Sequence, residues 1–256
     1  MIKPVKRISI SEKDIQNLKQ KEEVKQNEQP ENYVNCIVLK PWGYEYLLFE
    51  NESVAIWFLR INKDHSTSMH SHPNKKTSLT LLSGNSLSNT FHTRTFLAAG
   101  DSIIYDAGVF HSTKAISLSG ISLIEVETPP SKLDLCRMED AYGREKSGYE
   151  GSSQMVTENL SDYEYTYIDC DNCEGGIFTT KDKYSISVSK FINAANFADN
   201  FQLDPGSLYC VCRGALRDES GEIVVDLGET QRGGYLEKIE GLTINSETLL
   251  MRFVIF

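Results

Sequence analysis

The sequence predicts an all-β protein, and two observations lead to this fold class. From residue 34 the chain consists of short strand-like runs, such as YVNCIVL, SVAIWFLRI and ISLIEVE, separated by turns such as Ser83-Gly84-Asn85. Similar runs resume near residue 163, among them YSISVSKFI, SLYCVCR and LLMRFVIF. Many short strands with Gly, Asn, Asp and Ser between them are typical of a β-sandwich or barrel. We therefore expect two β units in one chain.

The composition limits the classes of partner. The 256 residues carry a formal net charge of −10, which argues against nucleic acid as the main partner because phosphate binding needs a clustered basic surface. No apolar run approaches the roughly 20 residues that cross a bilayer, so no membrane is expected. The first residues, MIKPVKRISISEKDIQ, lack the apolar region of a signal peptide, and a cytoplasmic location is the expectation.

The change of texture along the chain predicts four segments. Ser11 and Asp14 form a capping-box pattern that opens a helix to about residue 26 within a charged N-terminal stretch. The strand pattern is lost after residue 128 and returns after residue 160. The predicted division is a helical arm at 1–33, a first β domain at 34–128, a connector at 129–160 and a second, histidine-free β domain at 161–256.

All five histidines lie between His65 and His111. His70 and His72 alternate along a predicted strand, so both rings point to one face. Together with His111 on another strand they can hold a divalent ion of Fe, Mn, Ni, Zn or Co, because neutral imidazole is a common ligand of such ions. The alternative is a set of polar barrel-lining residues satisfied by hydrogen bonds. His65 and His92 lie outside this pattern.

The histidine pair lies in a stretch that resembles the first motif of the cupin superfamily, G-x5-H-x-H-x3–4-E-x6-G. His70, His72 and Gly84 match the motif. Asp64 stands in place of the first Gly, and Thr77 stands in place of the Glu. In most cupins that Glu is a metal ligand, so the resemblance implies a site that lacks one ligand.

A second stretch resembles the second cupin motif, G-x5-P-x-G-x2-H-x3-N. Gly100, Gly108 and His111 match, whereas Asp106 replaces the Pro and Ala115 replaces the Asn. The resemblance implies a double-stranded β-helix (jelly-roll) barrel. The second half is then expected to be a degenerate cupin-like domain, which makes the chain a bicupin.

Flanking segments extend the likeness to residues 38–146, which resemble the cupin domain of type II mannose-6-phosphate isomerases. These segments are KPWGYE at 40–45, IEVE at 124–127 and DLCRMEDAYGR at 134–144. The resemblance implies an enzyme of carbohydrate metabolism. Two outcomes remain open for the missing Glu: the three histidines retain the metal, or the metal is lost and Lys75 and Lys76 hold an anionic ligand instead.

Several other residues are candidates for the chemistry. Glu125, Lys75 and His65 are residue types that can act as acid or base. Glu125 and Glu127 alternate with Ile124 and Val126, so these glutamates face either solvent or a polar barrel lumen. Lys76, Arg137 and Arg144 are candidates for binding a phosphate. For the two arginines the alternative is a salt-bridge network with nearby acids, and Trp42 and Tyr44 can stack on a sugar or be buried.

The leading functional hypothesis is a metal-dependent enzyme that isomerises or epimerises a phosphorylated or nucleotide-linked sugar. The alternatives are a three-histidine iron-dependent oxygenase and a non-catalytic sugar-binding cupin. The expected partner is a small sugar or sugar phosphate, and a homodimer remains open. A structural zinc ion is also a possibility, because four cysteines form a CxxC and a CxC pair, a less usual spacing for zinc ligands. These are Cys170, Cys173, Cys210 and Cys212.

Overall fold

The structure is a computed structural model that describes residues 4–20, 26–170, 177–181 and 183–256. Over these residues the protein is all-β, as the sequence predicts. The strands of the first part are β1 (Lys6–Ile8), β2 (Ile37–Lys40), β3 (Gly43–Glu50), β4 (Ala55–Ile61), β5 (Met69–Ser71), β6 (Lys76–Ser83), β7 (Asn85–Thr90), β8 (Arg94–Ala98), β9 (Ser102–Tyr105), β10 (His111–Ala115), β11 (Ile121–Thr128), β12 (Cys136–Glu139) and β13 (Met155–Val156).

The remaining strands are β14 (Ile177–Lys181), β15 (Tyr184–Phe191), β16 (Leu208–Arg213), β17 (Leu216–Arg217), β18 (Ile223–Val225), β19 (Thr230–Arg232) and β20 (Thr248–Ile255). The helices in the described residues are α1 (Glu12–Lys19), α2 (Ala194–Asn200) and α3 (Gly233–Leu236), with 3₁₀ turns at Ser152–Gln154 and Leu160–Tyr163.

The first half is a jelly-roll barrel made of two sheets. One sheet has the order β1-β9-β6-β11-β4-β3-β2-β13, and the other has the order β12-β5-β10-β7-β8. The chain passes from one sheet to the other between β4 and β5, again between β5 and β6, and repeatedly up to β11. This alternation is the topology of the double-stranded β-helix, so the cupin-type fold follows from the strand order.

The larger sheet is buried on both faces. On β4, Trp57 and Leu59 point towards the barrel interior, whereas Ile56 and Phe58 pack against the second half of the chain. Successive strand residues point to opposite faces, so a sheet covered on both sides needs apolar residues in continuous runs. This burial explains why the AIWFL segment shows no alternation of polar and apolar residues.

The second half repeats one sheet of the barrel. Its five strands have the order β14-β15-β20-β16-β19, which corresponds strand by strand to β3-β4-β11-β6-β9. The β17–β18 ribbon lies between β16 and β19 in the chain, as β7 and β8 lie between β6 and β9. Helices α2 and α3 occur where the first half has β5 and β10. Among the described residues, the second half is therefore a degenerate copy without the two strands that correspond to those carrying His70 and His111.

The repeated sheet packs on the outer face of the larger barrel sheet. One buried cluster contains Ile56, Phe58 and Val126 from the barrel together with Ile186 and Phe253 from the second half. The molecule therefore has three layers of sheet in this region.

Two segments depart from their predicted roles. The N-terminal arm, predicted as helical, also contains β1, which pairs in parallel with β9. Helix α1 starts at the predicted capping box of Ser11 and Asp14, and residues 21–25 of the predicted helix lie outside the described residues. The segment predicted as a connector contains β12 and β13, which extend both barrel sheets. No helix among the described residues is long and apolar enough to cross a membrane.

Candidate metal centre

Two strands of the smaller sheet bring the three predicted ligand histidines together. His70 lies on β5, and His111 opens β10 directly opposite it in the antiparallel register. His72 follows two residues after His70, so its ring points to the same side. One potential ligand nitrogen from each ring lies within 4.8 Å of the others. The cluster predicted from the sequence is therefore formed.

Backbone carbonyls fix the orientation of all three rings. His70 Nδ1 donates to Ser68 O at 2.8 Å, His72 Nδ1 donates to Asp134 O at 2.7 Å, and His111 Nδ1 donates to Val109 O at 3.0 Å. Because a carbonyl oxygen only accepts, each Nδ1 carries the proton and each Nε2 keeps its lone pair. This is the arrangement in which metal-binding histidines are held by their outer partners.

The donor set fits a divalent metal ion. The Nε2 atom of His72 is buried and has no hydrogen-bond partner in the structure. Burial, reinforced by the neighbouring His72, lowers the pKa of His111 to about 4, and burial with the adjacent histidines also lowers the pKa of His70. Neutral imidazole is the form that binds metal. His70, His72 and His111 could therefore hold the ion. At neutral pH the rings of His70 and His111 are already neutral, so they need not release a proton to bind it.

Packing restricts His111 further. The Tyr105 ring stacks on the His111 ring with 4.2 Å between centroids and 7° between planes, and the Tyr105 hydroxyl bonds Ser88. The side chain of His111 is only 2% exposed. The ring is thus held on one side by an aromatic face and at its Nδ1 edge by a carbonyl.

The position of the missing motif glutamate is occupied by a buried, uncharged side chain. Thr77 lies on β6 opposite Glu127 of β11, and its hydroxyl has no hydrogen-bond partner in the structure. The two preceding lysines, which could have held an anionic ligand, pair with glutamates of the protein instead. Lys75 is buried and pairs with Glu127 at 2.7 Å, and Lys76 pairs with Glu229 of the second half at 2.7 Å.

Glu125 is the acidic residue that approaches the histidine cluster. Its Oε1 atom lies 3.4 Å from Nε2 of His72, and its side chain faces the barrel interior. Burial raises the pKa of Glu125, but His72, when its Nε2 carries a proton, and Lys132 lower it more strongly, so the net direction is downward. The sequence left open whether Glu125 faces solvent or a polar barrel lumen. It faces the lumen, because the second half covers the opposite face of the strand, which carries Ile124 and Val126.

His70 and His72 open into a cavity of about 50 Å³. Aromatic, aliphatic and charged groups share its wall. The lining residues are Lys40, Trp42, Glu45, Leu59, Thr67, Ser68, His70, His72, Glu125, Glu127, Lys132, Leu135, Arg137, Arg144 and Tyr149. Trp42 is therefore both buried and at the cavity wall, whereas Tyr44 packs on Tyr163.

Three cations of the wall converge on one carboxylate. Lys40 pairs with Glu150, Arg137 Nη2 lies 3.1 Å from it, and Arg144 Nη1 lies 2.6 Å from it. Burial raises the pKa of Glu150, but Lys40 and Arg137 outweigh burial and hold it at about 2. Arg144 also forms a two-pronged pair with Asp140. The salt-bridge alternative is thus present, and both arginines still reach the cavity wall.

Lys132 is a cavity residue that the sequence analysis missed. Its Nζ lies 2.8 Å from Glu45 and 3.4 Å from the centre of the Trp57 ring. Burial lowers the pKa of Lys132, but Glu45 and Glu127 raise it more, so the ammonium form is favoured. The residue lies in the predicted connector, where nothing in the sequence around a single lysine indicates a role in the site. The only related observation is that its partner Glu45 belongs to the KPWGYE segment.

Three of the predicted catalytic and substrate-binding residues are absent from the cavity wall. His65 stacks on Tyr142 and its Nδ1 is 3.0 Å from the Tyr142 hydroxyl, so it does not contact the histidine cluster. Lys76 faces the second half, as described above. Lys75 is close to the cavity wall through Glu127 but is absent from the lining. Only Glu125 of the three acid–base candidates is therefore next to the histidines.

The cysteine hypothesis is only partly covered by the structure. Cys210 and Cys212 are fully buried on β16 within the apolar cluster between the sheets. Cys170 packs against the same cluster, and Cys173 lies outside the described residues. Burial contributes to a strongly raised pKa of Cys212, after its contact with Cys210, which favours the thiol over the thiolate that zinc needs.

Comparisons with known proteins give structural neighbours only. No protein-family model and no curated protein sequence matches the chain. A solved structure of KdgF from Halomonas sp. is 11% identical, covers 36% of this chain and 85% of its own, and has a TM-score of 0.34. An RmlC-like cupin from Shewanella frigidimarina is 21% identical, with 38% and 85% covered and a TM-score of 0.34.

A third neighbour has a different named activity. The DMSP lyase DddQ from Ruegeria pomeroyi is 16% identical, covers 36% of this chain and 49% of its own, and has a TM-score of 0.33. Likenesses at this distance do not bear on substrate or reaction. The functional argument therefore depends on the residues of the site.

Proposed function

We propose that the protein is a metal-dependent cupin enzyme that isomerises or epimerises a small phosphorylated sugar. The observation that carries this proposal is the placement of the Glu125 carboxylate 3.4 Å from Nε2 of His72, in the cavity that His70 and His72 also line. A carboxylate beside a metal-binding cluster is one of the groups that can serve as the base for proton transfer next to a carbonyl. When bound, a divalent ion supplies positive charge that stabilises negative charge developing on a substrate oxygen.

The residues of the chain divide the remaining work. Glu125 is ionised at neutral pH, so it can accept a proton from the carbon next to the carbonyl and return it to the neighbouring carbon. Lys132, Arg137 and Arg144 are cations at the wall that already pair with carboxylates, so an anionic substrate group would share them with Glu45 and Glu150. The cavity of about 50 Å³ lies below the usual range for small-molecule sites, which favours a small sugar phosphate over a nucleotide-linked sugar.

The test begins with metal analysis and a thermal-shift screen of sugar phosphates, nucleotide sugars and free sugars. A ligand that binds only the folded protein raises its apparent stability. The stabilising compound is then incubated with the protein in D₂O. Deuterium at the carbon next to the carbonyl, observed by NMR, supports the proposal. A tightly bound sugar phosphate that never exchanges its proton contradicts it.

A three-histidine oxygenase is the second candidate, and one observation favours it. The metal-ligand group found among the described residues contains three histidines and no carboxylate. Three protein ligands leave coordination positions open for a substrate and O₂ when the metal is iron. Iron in the purified protein together with O₂ consumption would select this candidate over the isomerase.

The non-catalytic alternative loses its original argument. It supposed that Lys75 and Lys76 had displaced the metal and held an anion, but Glu127 and Glu229 already neutralise these lysines. Stabilisation by a sugar, without metal and without proton exchange, would still lead back to a binding module.

A further inference from the structure

The N-terminal arm lies against the turn that presents His111. Residues 106–110 form this turn, and its first residue accepts the arm as a strand partner: Asp106 N donates to Ile8 O at 3.0 Å, and Arg7 pairs with the Asp106 carboxylate at 3.0 Å. The same turn reaches the other ligand strand, because Gly108 N donates to His72 O at 2.8 Å. The turn therefore connects two of the three histidines, and the arm packs on it from outside.

Apolar contacts seat the arm closely. Gly108 has a φ of +86°, a conformation that favours glycine, and a Cβ built there would lie 2.6 Å from Ile10 Cδ1 and 3.2 Å from Leu18 Cδ1. The arm and the turn are thus in van der Waals contact at Gly108.

Asp14 makes the most specific of these contacts. Its side chain is 3% exposed, and its Oδ1 accepts a hydrogen bond from the backbone N of Phe110 at 2.8 Å. Its Oδ2 accepts from the backbone N of Ser11 at 2.8 Å, which is the capping box of α1. One carboxylate therefore begins the helix and holds the residue that precedes His111.

The position of Phe110 gives this bond its consequence. His111 Nδ1 donates to Val109 O, so Phe110 lies between the histidine and the carbonyl that orients its ring. A bond that fixes the Phe110 peptide also fixes the distance between these two groups. A carboxylate acceptor gives a stronger bond than a neutral one, and in this buried place its loss would leave the Phe110 N–H without a partner.

We propose that Asp14 is a positioning residue for the metal centre: by binding the Phe110 N–H, it holds His111 in the orientation in which Nε2 faces the cluster. The inference rests on the hypothesis that the three histidines bind a metal ion. It assigns the N-terminal arm, which lies outside the cupin-like motifs, a role in metal affinity.

The test compares Asp14→Ala with Ser11→Ala in the full chain. Both changes damage the capping box, but only the first removes the acceptor of the Phe110 N–H. Titration calorimetry with Co²⁺ on the metal-free protein is expected to give about ten-fold weaker binding for Asp14→Ala and less than about two-fold change for Ser11→Ala. The visible spectrum of the cobalt form should change only in the first variant. Asp14→Asn, which keeps an acceptor oxygen, should recover most of the affinity and is the variant to use if Asp14→Ala does not fold.

A readout without metal separates this inference from the metal hypothesis. In NMR spectra of the imidazole nitrogens, the metal-free protein should show His111 with its proton on Nδ1, and Asp14→Ala should show a mixture of tautomers. Equal cobalt affinity and equal His111 signals in wild type and Asp14→Ala would overturn the proposal. Equal weakening by Ser11→Ala would overturn it as well, because helix capping alone would then explain the effect. A wild type that binds no cobalt refutes the metal hypothesis, and the tautomer comparison then decides the role of Asp14.

Discussion

At the scale of single residues, the candidate site depends on which nitrogen of each histidine carries a proton. Three backbone carbonyls, from Ser68, Asp134 and Val109, set all three tautomers in the same sense. None of these partners is a side chain, so no residue type in the sequence announces them. The histidines themselves were predictable because alternate residues on a strand share a face.

The metal prediction concerns His70 and His111. The double variant His70→Ala/His111→Ala leaves a single imidazole, so we expect the purified protein to lose its divalent ion. Elemental analysis measures the metal content. The matched control is His92→Ala, which removes an exposed histidine and should retain the metal of the wild type. Equal metal in the wild type and the double variant would exclude these histidines as ligands.

A second prediction concerns Glu125. Glu125→Gln keeps the shape of the side chain but removes its capacity to take a proton. We expect deuterium exchange into the stabilising sugar phosphate to slow by about 100-fold or more, with the metal content unchanged. Glu139→Gln, at an exposed glutamate outside the cavity wall, should exchange at the wild-type rate. An unchanged rate in Glu125→Gln would assign the proton transfer to another group.

A third prediction follows from the low pKa of Glu150. The pKa of about 2 lies below the ordinary 4.5, so the ion pairs of this residue contribute stability above pH 4.5 that is lost as the pH falls towards 2. The difference corresponds to about 3 kcal/mol of unfolding free energy. Urea unfolding at pH 7, 4.5 and 3 should therefore show a smaller loss of stability between pH 4.5 and 3 in Glu150→Gln than in the wild type.

The control for the acid series is Glu145→Gln, at an exposed glutamate in the same segment. This variant should follow the wild-type pH dependence. If Glu150→Gln also follows the wild-type pH dependence, then the pKa of Glu150 does not differ between the folded and the unfolded protein, contrary to the prediction.

At the scale of elements, the segment between the two β units contributes more to the cavity than its sequence indicates. Strand β12 pairs with β5, the strand that carries His70, and the neighbouring loops bring Lys132, Arg144 and Tyr149 to the cavity wall. The sequence there has few β-branched residues and several charged ones, so its local pattern is that of a connector. Pairing with an existing strand edge and burial against Glu45 and Trp57 supply the order that local propensity does not.

The N-terminal strand is held by charges from two other elements, which gives a fourth prediction. Glu229 receives Arg7 from β1 and Lys76 from β6. Glu229→Gln removes the charge that both cations share, and we expect the free energy of unfolding to fall by about 2 kcal/mol. Urea unfolding at pH 7 measures it. Glu237→Gln, at an exposed position of the second half, should cost little. A similar loss in both variants would show that the pairs of Glu229 with Arg7 and Lys76 do not stabilise the fold.

At the scale of the whole molecule, the second half covers the barrel sheet and thereby decides which face of β11 is polar. Ile124 and Val126 lie between the sheets, whereas Glu125 and Glu127 face the lumen. The second half contains no histidine, and helices α2 and α3 occupy the places of the strands that correspond to β5 and β10. Its contribution to the site is therefore indirect.

The three-layer arrangement gives a fifth prediction. A fragment of residues 1–160 would expose the apolar face that includes Ile56, Phe58 and Val126. We expect this fragment to bind a hydrophobic dye and to aggregate, whereas the full chain unfolds in one cooperative transition. Size-exclusion chromatography and thermal unfolding measure both properties. A monomeric fragment with a cooperative transition would show that the barrel is stable without the second half.

The sequence by itself determined the all-β class, the duplication of β units and the three histidines, because strand periodicity and motif spacing are local properties. The tertiary structure decided that Lys75 and Lys76 pair with glutamates, that Lys132 lies at the cavity wall and that Asp14 contacts Phe110. These contacts join residues far apart in the chain, and a lysine has the same local pattern whether it faces solvent, a glutamate or a cavity. The physical reason is burial: only packing of the second half and of the arm on the barrel determines which charged groups leave water, and a buried charge must then find its partner.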